Sequence, residues 1–155
     1  MLNSHGAKLS VMSEIDAAND LFLKNKFEDS IEKYDKILQD EPNNLVALNN
    51  KGYALSKLKK FDDAIECYDL SLRIKPDDKI VWLNKISVFR KTARINEALD
   101  LCNKLLVKNP NELTVLYHKL RLLKKLDMFK ESNEICKKIL KKYPSNVEIR
   151  NELIK

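Results

Sequence analysis

Apolar residues recur along this chain at i, i+3, i+4 and i+7, the period of a helix that buries one face, and these bursts come in pairs. Between residues 45 and 78, Leu48, Gly52 and Leu55 mark the first face and Ala64, Ile65, Tyr68 and Leu72 the second. Between 79 and 112 the matching residues are Trp82, Ile86 and Phe89, then Ala98, Leu99, Cys102 and Leu106. Punctuation keeps the same rhythm. All the prolines, Pro42, Pro76, Pro110 and Pro144, stand 34 residues apart. Proline fixes φ and lacks an N–H, so it ends helices and marks turns. Each is followed by small polar residues suited to capping a new helix: Asn43-Asn44, Asp77-Asp78, Asn111-Glu112 and Ser145-Asn146. The pattern predicts four helical hairpins, over 11–44, 45–78, 79–112 and 113–146. None is large enough to bury its own core, so each must stack on the next.

Past the last hairpin, Val147, Ile149, Leu153 and Ile154 recur on one face while Arg150, Glu152 and Lys155 lie elsewhere. That is the pattern of a helix that caps an array and is polar outside, and it predicts a capping helix over 147–155. Residues 1–10 are weakly apolar and are expected to form a flexible N-terminal segment, with helix starting near Ser13.

The spacing and residue types together resemble the tetratricopeptide repeat family. Its signature is a large residue at position 4, small at 8, aromatic at 11, small at 20, aromatic at 24 and Pro at 32. Here Trp82 stands at position 4, Ala18 and Gly52 at 8, Ser30, Ala64, Ala98 and Ser132 at 20, and Tyr34 and Tyr68 at 24. Phe27, Phe61, Ile95 and Phe129 fill position 17. The resemblance implies an all-α, right-handed superhelical solenoid of antiparallel helix pairs, about nine helices, in a single domain over 11–155. Small residues at 8 and 20 let the two helices of a hairpin approach, and larger ones fill the space around their crossing. In the last two repeats Ile86 and Leu120 occupy position 8, and Cys102 and Cys136 occupy position 24. Large at 8 with small at 24 conserves volume, which predicts a swapped packing. Trp82 is expected to be buried between the helices of its repeat. Asn25, Lys59, Ala93 and Asp127 replace the family's usual glycine near position 15. Tighter or differently wound turns are therefore expected there.

Composition fits a helical array. Hydrophobic residues make up 44% and charged residues 34% of 155 residues, with only 2 glycines. No apolar run approaches the roughly 20 residues of a membrane helix, and the N-terminus lacks a signal peptide's long apolar segment. A cytoplasmic protein with no membrane partner is expected. Cys67, Cys102 and Cys136 fall on apolar helical positions, far from one another and from His5 and His118. They read as buried small hydrophobes, with no metal or other cofactor expected. No paired carboxylates with a base, glycine-rich phosphate loop or metal-ligand spacing is present, so no enzymatic activity is expected. The net charge of +6 is unevenly spread: residues 1–78 hold 11 Lys+Arg against 15 Asp+Glu, and residues 79–155 hold 18 against 8. Such asymmetry steers an anionic partner or reflects a solvated surface, and the sequence leaves both open.

In the tetratricopeptide repeat family the first helices of successive repeats line a concave groove. By the resemblance, the groove here carries Asn19, Asn50, Tyr53, Asn84, Ser87, Arg90, Lys91, Tyr117, His118, Arg121 and Lys125, with Ile15, Asn49 and Lys124 among its further members. Asn50 and Asn84 share position 6 as a short asparagine ladder, which His118 continues. An asparagine side chain both donates and accepts, so it can hold a peptide backbone of any sequence. Arg90, Lys91, Arg121, Lys124 and Lys125 form a cationic cluster suited to carboxylates or phosphates. The family's carboxylate clamp for chaperone tails matches only at Asn19 and Asn50; Ile15, Ile80 and Asn84 stand where its cations belong, which disfavours that ligand. The expected function is a non-catalytic protein-protein interaction module whose groove takes an acidic or extended peptide of a partner protein. The alternative is a nucleic-acid-binding helical repeat using the basic C-terminal half, including Lys137, Lys138, Lys141 and Lys142; few exposed aromatics disfavour it. Head-to-tail self-association, acidic half against basic half, is a further use of the same charges.

Overall fold

The computed structural model describes the backbone of residues 4–153 and the side chains of residues 13–153. Among the described residues the chain is all helix and turn: α1 Ser4–Leu23, α2 Phe27–Asp40, α3 Leu45–Lys57, α4 Phe61–Ile74, α5 Lys79–Lys91, α6 Ile95–Lys108, α7 Leu113–Lys125, α8 Phe129–Lys142 and α9 Val147–Leu153. Helix α1 begins at Ser4, ahead of the start expected near Ser13. The expected flexible segment over 1–10 lies partly outside the described residues. The capping helix over 147–155 is α9, and residues 154–155 also lie outside them.

Caps explain why the first helices start where they do. Asn44 Oδ1 accepts from Ala47 N at 3.0 Å, Asp78 Oδ1 from Val81 N at 3.4 Å, and Asn146 Oδ1 from Ile149 N at 3.0 Å. These satisfy N–H groups that the first turn leaves without partners. Glu112, one atom longer, makes no such bond. The second helices have no side-chain cap, and acidic residues in their first turns, such as Glu28, Asp29, Asp62 and Asp63, complement the helix dipole instead.

The turn within each hairpin departs from expectation. Asn25, Lys59, Ala93 and Asp127 all take left-handed backbone, at φ 59°, 61°, 58° and 56°. One residue on, an N–H bonds the carbonyl five residues back: Lys26 to Leu21, Lys60 to Leu55, Arg94 to Phe89 and Met128 to Leu123, at 2.9–3.0 Å. That is one helix-ending motif used four times. The turns are neither tighter nor differently wound from repeat to repeat. The left-handed conformation is kept without glycine, at a cost in strain for Lys59 and Ala93.

Contacts divide the chain into two compact units, Met1–Val88 and Phe89–Lys155. In the first, α2 packs on α1 and on α3, and α3 on α4. Ala18, Tyr34, Ile37 and Ala47 form one buried cluster. Gly52 lies against the fully buried Tyr68 ring: a Cβ built on it would stand 2.7 Å from Cε1. In the second unit α7 packs between α6 and α8, and α9 covers α8. There Leu116, Leu120, Cys136, Ile139 and Ile149 make one cluster. The first unit thus sets a small residue against tyrosine, and the fourth repeat sets leucine against cysteine, as volume conservation predicts. Trp82 corrects the sequence reading. It is half-buried, its indole N–H donating to the Pro76 carbonyl at 2.8 Å, because a ring tied to a turn at the helix start cannot also sit at the crossing.

Candidate functional site

On the first unit, a row of asparagines on first helices is linked into one chain. Tyr34 Oη donates to Asn19 Oδ1 at 2.6 Å, and Asn50 Nδ2 donates to the same oxygen at 2.9 Å. Asn49 Nδ2 donates to Asn50 Oδ1 at 3.3 Å, and Asn84 Nδ2 to Asn49 Oδ1 at 3.0 Å. The sequence reading paired Asn50 with Asn84; the geometry inserts Asn49 between them. Its signal was the pair of adjacent asparagines within α3, of which only Asn50 is in phase with polar residues one repeat away, Asp16 and Asn84. An amide carries two N–H donors and two acceptor sites. Asn19 Oδ1 is therefore filled by its two donors, whereas Asn49, Asn50 and Asn84 each spend one N–H in the chain. All four are half-buried, which fixes their orientation. Burial also pushes the Tyr34 phenol above its ordinary pKa.

Further along the same helices lies an aromatic step. Phe22 stacks edge-on against Phe27 and tilted against Tyr53, each at 5.2 Å between ring centres. Lys57 Nζ sits 5.2 Å from the centre of the Tyr53 ring, whose side chain is 40% exposed. Ser87 lies half-buried on α5. Two matched ion pairs, Lys51–Asp35 at 2.5 Å and Lys85–Asp69, join first helices to the preceding second helices. Burial works against the Lys51 charge, but the Asp35 carboxylate outweighs it and raises the ammonium above its ordinary pKa.

On the second unit the face is cationic. Arg90 and Lys91 end α5, and Tyr117, His118, Arg121 and Lys125 lie along α7. Leu113, Thr114, Tyr117, His118 and Arg121 line a hollow of about 290 Å³. The Tyr117 hydroxyl accepts from Asn146 Nδ2 at 2.6 Å. His118 Nδ1 is buried without a hydrogen-bond partner among the described residues. Burial, then the Arg90 and Arg121 charges, lowers the imidazole below its ordinary pKa, so it is neutral at pH 7. Arg121 and Lys125 are exposed, whereas Lys124 is paired with Glu152 of α9 and so is withdrawn from the cluster. Nothing in this arrangement pairs a nucleophile with a base; it is a surface of fixed amides, rings and cations.

The three thiols are free and buried. Burial pushes Cys67 up to about 11 and Cys102 up to about 12, with Cys136 raised in the same direction. They act as core atoms. Among the described residues no group of three or more His, Cys, Asp or Glu is placed to hold a metal, and no helix is long and apolar enough to cross a membrane.

Paired helices joined by left-handed turns of one kind, repeated along the chain, define a helical-repeat fold. Residues 46–78 match the tetratricopeptide repeat family model. A tetratricopeptide repeat protein from Parabacteroides merdae superposes with a TM-score of 0.83 at 23% identity, covering 92% of this chain. This chain spans 57% of that structure's length. MamA from Desulfovibrio magneticus RS-1 superposes at TM-score 0.77 and 16% identity, over 92% of this chain and 81% of its own. The second repeat domain of human RPAP3, solved in complex with the HSP70 peptide SGPTIEEVD, superposes at 0.66 and 18% identity, over 74% of this chain and 96% of its own. At these identities the likeness is one of fold. No curated protein matches the chain in sequence.

Proposed function

We propose that this protein is a non-catalytic interaction module that takes a peptide segment of a partner protein along its first helices. In the first unit, Asn49, Asn50 and Asn84 hold the peptide's backbone amides while Phe22 and Tyr53 take an apolar side chain. In the second unit, Arg90, Arg121 and Lys125 meet its carboxylates. The observation that carries this reading is the hydrogen-bonded asparagine chain. Pre-oriented amides on one face suit an extended backbone of any sequence, and holding them in place beforehand lowers the entropy cost of binding. The peptide complex of the RPAP3 domain supports such a use of the fold. The chaperone-tail clamp itself remains disfavoured here, with Ile15, Ile80 and Asn84 at its cation positions.

Selection from a random-sequence peptide library displayed on phage tests this. The full chain should enrich peptides rich in Asp and Glu. Binding of a synthetic enriched peptide should weaken about 5- to 30-fold in Asn50→Ala, the loss of one or two backbone hydrogen bonds. In Arg121→Glu it should lose most of its salt dependence. Enriched peptides without acidic residues, or affinity indifferent to both substitutions, would overturn the reading.

A further inference from the structure

A second charged surface lies apart from the first helices, at the C-terminal ends of α6 and α8. The outward stripe of α8 begins acidic, with Glu131 and Glu134, and ends in Lys137, Lys138, Lys141 and Lys142, all exposed. The equivalent stripe of α6 begins with Glu97 and Asp100 and ends in Lys104, Val107 and Lys108, also exposed. Both helices pack on α7. Acidic starts and basic ends complement the helix dipole, but that effect needs one cation per helix end, and here there are six lysines. None of the six makes an ion pair among the described residues. Lys138, Lys141 and Lys142 surround a hollow of about 440 Å³ closed by Asn111 of the α6–α7 turn, with no carboxylate in its lining.

Apolar side chains stand at the same helix ends. Val107 is 82% exposed and Val147, which opens α9, 63% exposed. Tyr143, at the end of α8, is 37% exposed, with Lys142 Nζ 5.5 Å from its ring centre. Lysines around exposed valines and a tyrosine have the composition of a surface that rests on a bilayer. Ammonium heads meet lipid phosphates while small apolar groups enter the interface. A nucleic-acid surface would ask for guanidinium forks and stacking rings; this patch has one tyrosine, and the arginine beside it, Arg150, donates to the Pro144 carbonyl.

We propose that the α6/α8 end of the second unit is a peripheral docking surface for an anionic phospholipid membrane, with Lys138, Lys141 and Lys142 as its phosphate-binding centre. The expectation of no membrane partner concerned spanning segments, which this mode does not need. Each lysine near an anionic surface strengthens binding about fivefold. The contact weakens as salt rises, because exposed charges are screened within about 10 Å at 0.1 M.

Cosedimentation of the full chain with sucrose-loaded vesicles tests this. Vesicles of 70:30 phosphatidylcholine:phosphatidylserine should bind the chain at 50 mM salt and release it at 500 mM, and phosphatidylcholine alone should not bind. The triple substitution Lys138→Glu, Lys141→Glu, Lys142→Glu should lower partitioning at least a hundredfold. Val107→Ser with Val147→Ser should lower it several-fold. All five positions are exposed, and circular dichroism with an unchanged melting temperature confirms that the variants fold. The proposal is overturned by no binding to the phosphatidylserine vesicles, by triple-variant binding equal to the parent's, or by valine substitutions without effect. Tighter, lysine-dependent binding of poly-U RNA than of vesicles would also overturn it and assign the patch to nucleic acid.

Discussion

Gly52→Ala isolates the packing rule on which the repeats rest. The added Cβ would meet Tyr68 Cε1 at 2.7 Å and Cδ1 and Cζ at 3.1 Å. A ring that is 0% exposed has nowhere to swing, so the helices must part or the ring must leave its rotamer. Overpacking of this kind costs about 1–3 kcal/mol. Replacing a mid-helix glycine by alanine contributes about 1 kcal/mol in the opposite direction. The net expectation is a loss of about 1 kcal/mol, read as a lower urea midpoint with unchanged slope. The fourth repeat supplies the control, because there Leu120 and Cys136 fill the same two positions. Tyr68→Cys alone leaves a cavity and is costly. Gly52→Leu combined with Tyr68→Cys should be more stable than the two single losses predict, by about 1–3 kcal/mol of coupling. If Gly52→Ala stabilises by the full helix-propensity gain, or the double variant shows no coupling, the close crossing is not what selects glycine.

Ala93→Gly should stabilise the chain by about 0.5–1 kcal/mol in urea denaturation. It releases left-handed strain of about 1–2 kcal/mol at φ 58° against a smaller unfolded-state entropy cost; a destabilised variant would refute the strain. His118 should titrate below 6.5 when followed by NMR. Its folded pKa lies below its unfolded one, so the unfolded chain binds more protons and stability falls as pH drops from about 6.5 through the folded pKa. His118→Gln should flatten that slope, and an unchanged slope would remove the assignment. An anion held between Arg90 and Arg121 would favour the protonated imidazole, so binding of an acidic peptide should tighten as pH falls from 8 to 6.

The hairpins were legible because helix starts are set by local chemistry. Pro42, Pro76, Pro110 and Pro144 and the capping pairs after them place Leu45, Lys79, Leu113 and Val147 as first residues, and each does begin a helix. The swap at Leu120 and Cys136 was legible because it is a sum of volumes. What escaped was set by individual hydrogen bonds that residue type and spacing do not specify. A helix-ending motif holds Lys59 and Ala93 left-handed against their own preference. Trp82 is drawn to the Pro76 carbonyl rather than to the crossing. Asn49 links its neighbour Asn50 to Asn84, which lies a repeat away. The candidate cations could be named from the sequence, but the pairing of Lys124 with Glu152 could not.

The most direct test of the peptide-holding face is chemical-shift mapping on the ¹⁵N-labelled full chain, titrated with a library-selected peptide. The account predicts that the side-chain amide signals of Asn49, Asn50 and Asn84 shift with the backbone signals around Tyr53, while those of Lys137–Lys142 stay in place. Saturable binding whose shifts leave the three asparagine amides unmoved would contradict it.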